Sequence, residues 1–370
     1  MVNQRVVCFI MPNAANSAEP AERILERFEF LSKKFLENYP LNASKAMFLS
    51  SGFKPDSVES DVVGRKLEKH IFSYKKINLL MFFFKSLNLL RRERNKEIML
   101  VAGDNYGALL ITLLLKLIIS SNIRVQISIH GNPINHGGSK FKNLLRMISF
   151  KLLVPRASSV RLVSKHLLFE LGDFFGRNAE IIVSPVPVVL PNRFVAKRIG
   201  NRVGLIGRLH YERGISLFRD IVTELISQDQ NYEFLIVGDG PERPLLSELA
   251  SRNPKVRIDF LGTISQIEVQ EKLLDIKLLL SCAENEGYGL SIREAILSGT
   301  PVIAKENAGT RELRNSFPEM VFLFETIGEA VELIKSEIDS TVNIETVRRY
   351  REKQANIDAE GISSLINSWA

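Results

Sequence analysis

The chain has 370 residues, which is long for one domain and is the length expected of two. Hydrophobic residues make up 45% and charged residues 25%, as in an ordinary soluble globular protein, so the composition excludes a disordered or fibrous chain. The net charge of +7 hides an asymmetry, because residues 1–200 carry 30 lysines and arginines against 15 acidic residues, whereas residues 201–370 carry 19 against 27.

The first element is a buried strand at Arg5–Met11. Its apolar run is brief and no cleavage site follows, so it does not fit a signal peptide. The loop Pro12–Pro20 leads into a helix, with Ser17 as the expected N-cap and Pro20 in the first turn. Four residues at helical spacing predict the core face of that helix: Ile24, Phe28, Leu31 and Phe35.

A second strand is predicted at Ala46–Ser50, and residues 51–70 are polar and show no clear pattern. An apolar helix then runs from Ile77 to Leu90 and ends in the basic residues Arg91, Arg92 and Arg94. Two interpretations stay open for this segment. It is a basic amphipathic helix that docks on an anionic membrane, or a core helix whose solvated end carries favourable positive charge.

The next strands are predicted at Glu97–Ala102 and Arg124–Ile129, with a helix at Ala108–Ile119 between them. The apolar run of this helix is broken by Lys116 and falls short of the roughly 18–20 residues that span a bilayer. We therefore expect no transmembrane helix and a cytoplasmic location. The second strand delivers His130 at its carboxyl end, where ligands bind in open α/β sheets, and a structural and a functional role are equally open for it.

The first half ends in less regular sequence. The glycine-rich loop Gly131–Gly138 contains His136 and is a candidate acceptor loop. Two short strands and a helix follow, at Arg161–Ser164, Glu180–Val183 and Lys165–Leu171. Prolines at 185, 187 and 191 break regular structure, so we predict an interdomain linker at about 188–201.

The second half alternates strands and helices without interruption, which is typical of an α/β domain. Strands are predicted at Arg202–Ile206, Tyr232–Val237, Arg257–Leu261, Lys277–Ser281, Pro301–Ala304 and Val321–Phe324. A loop and helix start are expected at residues 307–314, a helix at 326–337, and a terminal helical region from Ile344 to Trp369 that is interrupted at Gly361. The only cysteines, Cys8 and Cys282, lie far apart, which excludes a disulfide framework and fits a reducing compartment.

Two carboxylates frame the most informative stretch of the chain, Glu286–Ala304. Glu286 follows a strand, and Glu294 lies inside the next helix. Between them, Gly287 and Gly289 allow close approach of the backbone, and the helix start offers N–H groups to an anion. The pattern predicts a ligand site at the carboxyl edge of the sheet.

The stretch Glu286–Ala304 resembles the signature of nucleotide-sugar glycosyltransferase family 4, in which the second glutamate is followed by Ala and a Gly-x-Pro-Val strand. Two earlier segments are also similar to this family: the loop Gly207–Gly214 and the Val-Gly-Asp-Gly-Pro-Glu segment at residues 237–242. The resemblance implies an α/β fold with two Rossmann-like domains facing each other across a cleft, called GT-B. The domains would span residues 1–190 and 200–350, with a helix at 351–370 crossing back to the first.

The resemblance also implies roles for single residues. Arg208 and Arg213 would hold the pyrophosphate, Glu294 the ribose, and Glu286 and His130 the donor sugar. Arg213 stands where the family has a lysine, so a planar guanidinium replaces a point charge. The remaining donor-binding candidates are Gly207, Gly238, Thr263, Ile264, Gly287, Tyr288, Gly289 and Leu290.

The implied activity is retaining transfer from a nucleotide-diphosphate sugar to a glycan or lipid-linked acceptor in cell-surface polysaccharide biosynthesis, without a metal or other cofactor. Asp-x-Asp is absent from the sequence, and two arginines supply the positive charge that a metal would provide. The basic first half leaves three candidates open: contact with an anionic membrane at its inner face, a phosphorylated acceptor, or solubility charge alone.

Two other functions remain as alternatives: a sugar-nucleotide epimerase, and a non-catalytic module that binds nucleotide sugars or polyanions. Nucleic acid is not expected, because the basic half lacks aromatic residues interleaved with its basic ones.

Overall fold

The computed structural model describes residues 4–12, 21–39, 44–51, 60–62, 65–72, 78–103, 106–119, 122–132, 140–195, 200–228 and 231–369. The predicted N-cap Ser17, the first-turn Pro20 and the loop residue His136 lie outside these ranges.

The first half of the described chain forms one eight-stranded sheet with the order β3-β4-β2-β1-β5-β6-β7-β8. All neighbours are parallel except β3 with β4. The strands are β1 (Arg5–Met11), β2 (Ser44–Ser50), β3 (Ser60–Val62), β4 (Arg65–Ile71), β5 (Glu97–Ala102), β6 (Ile123–Ile129), β7 (Ser159–Leu162) and β8 (Glu180–Val183). The helices are α1 (Ala21–Asn38), α2 (Leu79–Leu90), α3 (Tyr106–Ile119), α4 (Lys140–Leu153) and α5 (His166–Leu171).

Helices cover both faces of this sheet, as the alternation of side chains along β1 shows. Cys8 and the residues two positions before and after it pack into the core formed with α2, α3 and α4. Val7 points the other way, into a core that contains Phe28 and Phe35 of α1. Because side chains alternate along a strand, one continuous apolar strand supplies both cores.

The second half forms a six-stranded parallel sheet with the order β11-β10-β9-β12-β13-β14. The strands are β9 (Arg202–Ile206), β10 (Glu233–Val237), β11 (Ile258–Gly262), β12 (Leu278–Ser281), β13 (Val302–Lys305) and β14 (Val321–Phe324). The helices are α6 (Ile215–Ser227), α7 (Arg243–Arg252), α8 (Gln266–Leu274), α9 (Leu290–Leu297), α10 (Ala308–Ser316), α11 (Ile327–Glu337) and α12 (Ile344–Asn367). The two sheets confirm the predicted fold class, whereas the domain boundaries at 190, 200 and 350 stay predictions.

The terminal helix α12 returns to the first sheet, as expected. Trp369 follows this helix, donates a 2.9 Å hydrogen bond from its Nε1 to Oε1 of Gln126, and contacts the ring of Phe9 edge-on. The predicted interruption at Gly361 is wrong, because α12 runs through this residue. A Cβ at Gly361 would lie only 2.6 Å from Pro185, so glycine allows the helix to pack closely on the chain after β8.

Three elements of the first half are absent from the sequence prediction: the short strand β3, strand β4 and helix α4. Strand β4 lies in the polar stretch 51–70, where its charged residues hide the strand pattern. Lys45 on β2 pairs with Glu68 of β4 at 2.8 Å and with Glu93 at 2.6 Å, so these charges are neutralised within the fold. Helix α4 fills most of the interval between the glycine-rich loop and β7.

Several boundaries also shift by one or two residues. Two-residue shifts occur, for example, at β7, which ends before Ser164, and at α2, which begins at Leu79 rather than Ile77. Asn78 caps α2 by accepting a 2.9 Å hydrogen bond from the backbone N–H of Leu80. Ends of elements are decided by such local hydrogen bonds, which hydrophobic periodicity does not encode.

Candidate active site

The strand order of the second sheet reverses at β9. Strand β10 lies on one side of β9, and β12 lies on the other. The loops that follow β9 and β12 therefore diverge at their carboxyl ends and leave a crevice, which is the usual ligand position in such sheets. The loop after β9 carries Arg208 and Arg213, and the loop after β12 carries Glu286. The fold thus brings together three residues that are distant in sequence.

Glu286 and Arg213 form the centre of this crevice. The Glu286 carboxylate is buried, accepts a 3.0 Å hydrogen bond from Nη1 of Arg213 through Oε2, and accepts a 2.9 Å bond from the Gly289 N–H through Oε1. The Arg213 side chain is 38% exposed, so its guanidinium reaches the open crevice. A guanidinium has several N–H groups, and the contact with Glu286 orients it without using them all.

Arg208 lies in the same crevice. Gly207, Arg208 and Arg213 line one small cavity together with Cys282 and Ser291, which is the second residue of α9. Two cations and the amino terminus of a helix therefore converge on one space. This is the arrangement that binds a phosphate or diphosphate.

Gly289 gives α9 its start. Its φ of +73° places it in the left-handed region, where glycine is strongly preferred, and it is the N-cap of the helix. The same residue donates its N–H to Glu286. The Gly-Tyr-Gly turn therefore fixes both the carboxylate and the helix terminus.

Glu294 lies in α9, as predicted, and is buried. Its Oε1 accepts a hydrogen bond from Nε2 of Gln266, the first residue of α8. Gln266 is a site residue that sequence reasoning missed. The Ser-x-x-Glu capping box at Ser265 marks the start of α8 and is the one sequence signal that places Gln266 at this edge.

The other donor-binding candidates lie around this crevice. Gly238 follows β10 and packs against the Gly207 carbonyl, from which an added Cβ would lie 1.9 Å away. Thr263 and Ile264 follow β11 and are exposed and half-buried, respectively. Leu290 is the first residue of α9 and is exposed.

His130 lies across the cleft from the signature turn. A Cβ added to Gly287 would stand 2.1 Å from the His130 carbonyl oxygen, so the two segments touch at this point. Beside them, the Ser164 hydroxyl donates a 2.7 Å hydrogen bond to the Gly287 carbonyl. Ser164 was predicted at the end of a strand, directly before a helix, and its contact with the other half of the chain is not visible in the sequence.

A second contact joins the two halves near this point. The carboxylate of Glu312 on α10 accepts hydrogen bonds from the backbone N–H groups of Lys165 and His166, at 3.2 and 2.6 Å, and lies 3.0 Å from Nδ1 of His166. These contacts, with desolvation acting against them, hold the pKa of Glu312 below its usual range. The cleft is therefore narrow at the end where His130 lies.

The histidine ring is held neutral. Burial, with the positive charge of Arg161 and Arg27, lowers the pKa of His130 from 6.5 to about 3. Arg161 is itself buried and donates hydrogen bonds to the carbonyls of Ser184 and Pro185. A neutral imidazole can donate and accept a hydrogen bond, as contact with a sugar hydroxyl requires.

This pKa gives a testable pH dependence. Because the pKa is lower in the folded chain, His130 contributes stability above pH 6.5, and this contribution is lost as the pH falls from 6.5 toward 3. We expect the melting temperature of wild type to fall more steeply over this range than that of His130→Gln, measured by thermal unfolding. Parallel curves would contradict a His130 ring that stays neutral in the folded chain.

A buried polar network anchors the signature turn to the terminal helix. The Tyr288 hydroxyl accepts a 2.8 Å hydrogen bond from Nε2 of Gln354 on α12, and Oε1 of Gln354 accepts one from Arg293 at 2.7 Å. Gln354 also donates to Asp358, whose other oxygen accepts from the N–H of Val188 at 3.0 Å. Tyr288 is thus a support for the turn, joined through α12 to the segment between the sheets.

Comparison with known proteins agrees with this geometry. Residues 200–334 match the family model described as "Glycosyl transferases group 1". Two curated relatives align with part of the chain: 2-deoxystreptamine N-acetyl-D-glucosaminyltransferase of Niallia circulans, 29% identical over 33% of this chain and 32% of its own length, and 2-deoxystreptamine glucosyltransferase of Streptomyces kanamyceticus, 33% identical over 28% and 27%. The chain therefore aligns with about a third or less of either relative.

The likeness to solved structures extends over the whole chain. Sucrose-phosphate synthase from Thermosynechococcus elongatus superposes with a TM-score of 0.74 at 15% identity, covering 99% of this chain and 98% of that one. At this identity the likeness concerns the fold. The match to the group 1 glycosyltransferase model is confined to residues 200–334, whereas the GT-B fold extends over the chain as a whole.

Proposed function

We propose that the chain is a retaining glycosyltransferase that moves a sugar from a nucleotide-diphosphate sugar to a glycan or lipid-linked acceptor. The observation that carries this proposal is the convergence of Arg208, Arg213 and the start of α9 on one cavity beside Glu286. The match of residues 200–334 to the group 1 family supports it independently.

The catalytic roles of these residues follow from the position at which negative charge develops during the reaction. When the glycosidic bond to the donor phosphate breaks, negative charge accumulates on the departing diphosphate. Arg208, Arg213 and the first turn of α9 line that space, and preorganised electrostatic stabilisation is often the largest catalytic contribution. With the positive charge supplied by the protein, the transfer is proposed to need no metal ion.

The remaining residues would position the donor. Glu294 and Gln266, joined by their hydrogen bond, would bind the ribose hydroxyls. Glu286 would lie near the sugar ring while orienting Arg213, and neutral His130 would contact the sugar from the other side of the cleft. Retention is implied by the family resemblance, and it requires the acceptor to approach from the face that the leaving group occupies.

The acceptor is proposed from the first half of the chain. Its excess of lysine and arginine fits a phosphorylated or membrane-anchored acceptor, as used in cell-surface polysaccharide biosynthesis at the inner face of the membrane. The relatives named above transfer sugars to an aminocyclitol according to their names, so the acceptor of this chain is a separate proposal.

Proton NMR of the reaction tests the proposal. The purified chain is incubated with UDP-, GDP- or ADP-sugars and a panel of glycan and lipid-linked acceptors, in the presence of EDTA. We expect a product whose new bond keeps the anomeric configuration of the donor, at an unchanged rate with EDTA. An inverted product would contradict retention, loss of activity with EDTA would contradict metal independence, and an altered nucleotide sugar formed without acceptor would identify an epimerase.

A further inference from the structure

Large apolar side chains are exposed mainly on one part of the molecule. Eleven of the nineteen exposed large hydrophobic residues in the described part of the chain lie on α2, α3 and α4. Among these eleven, Leu117 at 81% and Leu80 at 61% are the most exposed. The full set is Leu79, Leu80, Met81, Phe84, Leu110, Leu114, Leu117, Ile118, Leu144, Ile148 and Leu152, and we call it the three-helix face.

The three-helix face is continuous. Helix α2 packs beside α3, and α3 beside α4, and all three cover the same side of the first sheet. Within α4 the exposed residues Leu144, Ile148 and Leu152 recur every fourth position, so they form one stripe. A monomeric soluble protein rarely exposes an apolar patch of more than a few hundred Å², and a larger one marks an interaction site.

The charge of these helices is one-sided. None of α2, α3 and α4 contains an aspartate or a glutamate, as their sequences show. The charged side chains of these helices that the structure describes are Lys85, Lys116 and Lys151, and the exposed Arg91 and Arg92 directly follow α2. A second copy of the chain would bring like charges together on this face, whereas an anionic surface would be attracted to it.

We propose that the three-helix face docks the protein on the surface of an anionic lipid bilayer. Apolar side chains such as Leu80 and Leu117 enter the boundary between head groups and acyl chains, while the lysines and arginines contact lipid phosphates. A shallow groove on α2, lined by Leu80, Met81 and Phe84 with Lys85 beside them, combines both kinds of contact. In the described ranges no helix is both long and apolar enough to cross a bilayer, so the contact is peripheral.

The position of the face has a consequence that rests on the proposed function. Helices α2 and α4 begin at the carboxyl edge of the first sheet, the edge at which His130 lies, because their preceding strands β4 and β6 run parallel to the others. The three-helix face therefore reaches the mouth of the cleft. A lipid-linked acceptor would find its reacting end next to the donor without leaving the bilayer.

Vesicle sedimentation tests the docking without donor or acceptor, so its failure is distinct from failure of the proposed transfer. The full chain is mixed with vesicles of phosphatidylcholine alone, or of phosphatidylcholine with phosphatidylglycerol. We expect binding to the anionic vesicles that weakens with salt. Arg91→Gln/Arg92→Gln should weaken it about fivefold per charge, and Leu80→Gln/Leu117→Gln by at least about tenfold.

Matched controls lie outside the three-helix face. Ile267→Gln/Val189→Gln replaces exposed apolar residues, and Lys255→Gln/Arg314→Gln replaces exposed basic ones. Binding should be unchanged in both. Two results would overturn the proposal: absence of wild-type binding to anionic vesicles, and equal loss in the controls. A dimer in sedimentation velocity that Leu80→Gln/Leu117→Gln dissociates would assign the face to a second copy instead.

Discussion

Replacing Arg213 with alanine is expected to lower the rate of sugar transfer by about 10²–10³-fold, the loss typical when one preorganised charge-stabilising group is removed. The substitution removes a cation from the cavity that it shares with Arg208. It also leaves the buried carboxylate of Glu286 with the Gly289 N–H but without its 3.0 Å partner. Turnover of the donor under saturating conditions measures the effect.

The same variant should be less stable by about 1–2 kcal/mol, because a buried carboxylate loses a charge-assisted hydrogen bond that is partly open to solvent. Arg213→Lys keeps the charge and should recover part of the rate, since the family pattern has lysine at this position. Arg252→Ala removes an exposed arginine paired with Glu248 and serves as the control. A normal rate in Arg213→Ala would remove this residue from the catalytic assignment.

Replacing Gly287 with alanine is expected to reduce transfer by about 100-fold while nucleotide binding stays within a few-fold of wild type. The added Cβ would lie 2.1 Å from the His130 carbonyl oxygen, so the two halves of the chain must move apart by about an ångström. Displacement of reacting groups on that scale can cost a factor of about 100 in rate. The nucleotide would be held by the second half alone, which the substitution leaves intact.

The control for this variant is Gly328→Ala. Gly328 lies near the start of α11, where an added Cβ meets nothing within 4 Å. Transfer rate and the thermal shift produced by UDP, GDP or ADP are measured for both proteins. Equal loss of nucleotide binding and transfer in Gly287→Ala would show that the turn acts on the nucleotide and not on the closeness of His130.

The second half could be predicted well from the sequence. Its strands are short apolar runs, so their places were set within one residue, and the motifs of Gly207–Gly214 and Glu286–Glu294 fall at their carboxyl ends. Glycines in the sequence also indicated the turns. Gly214 and Gly289, for example, have a positive φ in the structure. The crevice between β9 and β12 follows from that order once the strands are known.

Contacts between distant segments could not be predicted. The bond from Ser164 to Gly287 and that from Gln266 to Glu294 depend on the arrangement of elements, which periodicity does not encode. Strand β4 was missed because a stretch that contains Glu68 and several basic residues is typical of a solvent-exposed segment. The ion pair between Glu68 and Lys45 is seen only in the structure. The passage of α12 through Gly361 was missed for a related reason, since its close contact with Pro185 is long-range.

The three-helix face shows a further limit of sequence reasoning. The sequence of Ile77–Leu90 alone left two interpretations open, a core helix and a membrane-docking helix, with the core helix slightly favoured. The structure shows that α2 has both a buried and an exposed apolar side, since Phe82 and Leu87 are buried while Leu80 and Phe84 are exposed. The exposed apolar residues of α3 and α4 lie beside those of α2, and only the three helices together form a continuous apolar surface.

A thermal-shift screen of the donor site tests the central claim most directly. Wild type and Glu294→Ala are heated with UDP, GDP, ADP and their common sugars, with and without EDTA, and Glu332→Ala on α11 serves as an exposed control. A nucleotide at about 100 times its dissociation constant should add about 2.7 kcal/mol of stability. The account predicts stabilisation by one nucleotide class, unaffected by EDTA and lost only in Glu294→Ala; absence of stabilisation by every nucleotide, or full stabilisation of Glu294→Ala, would contradict it.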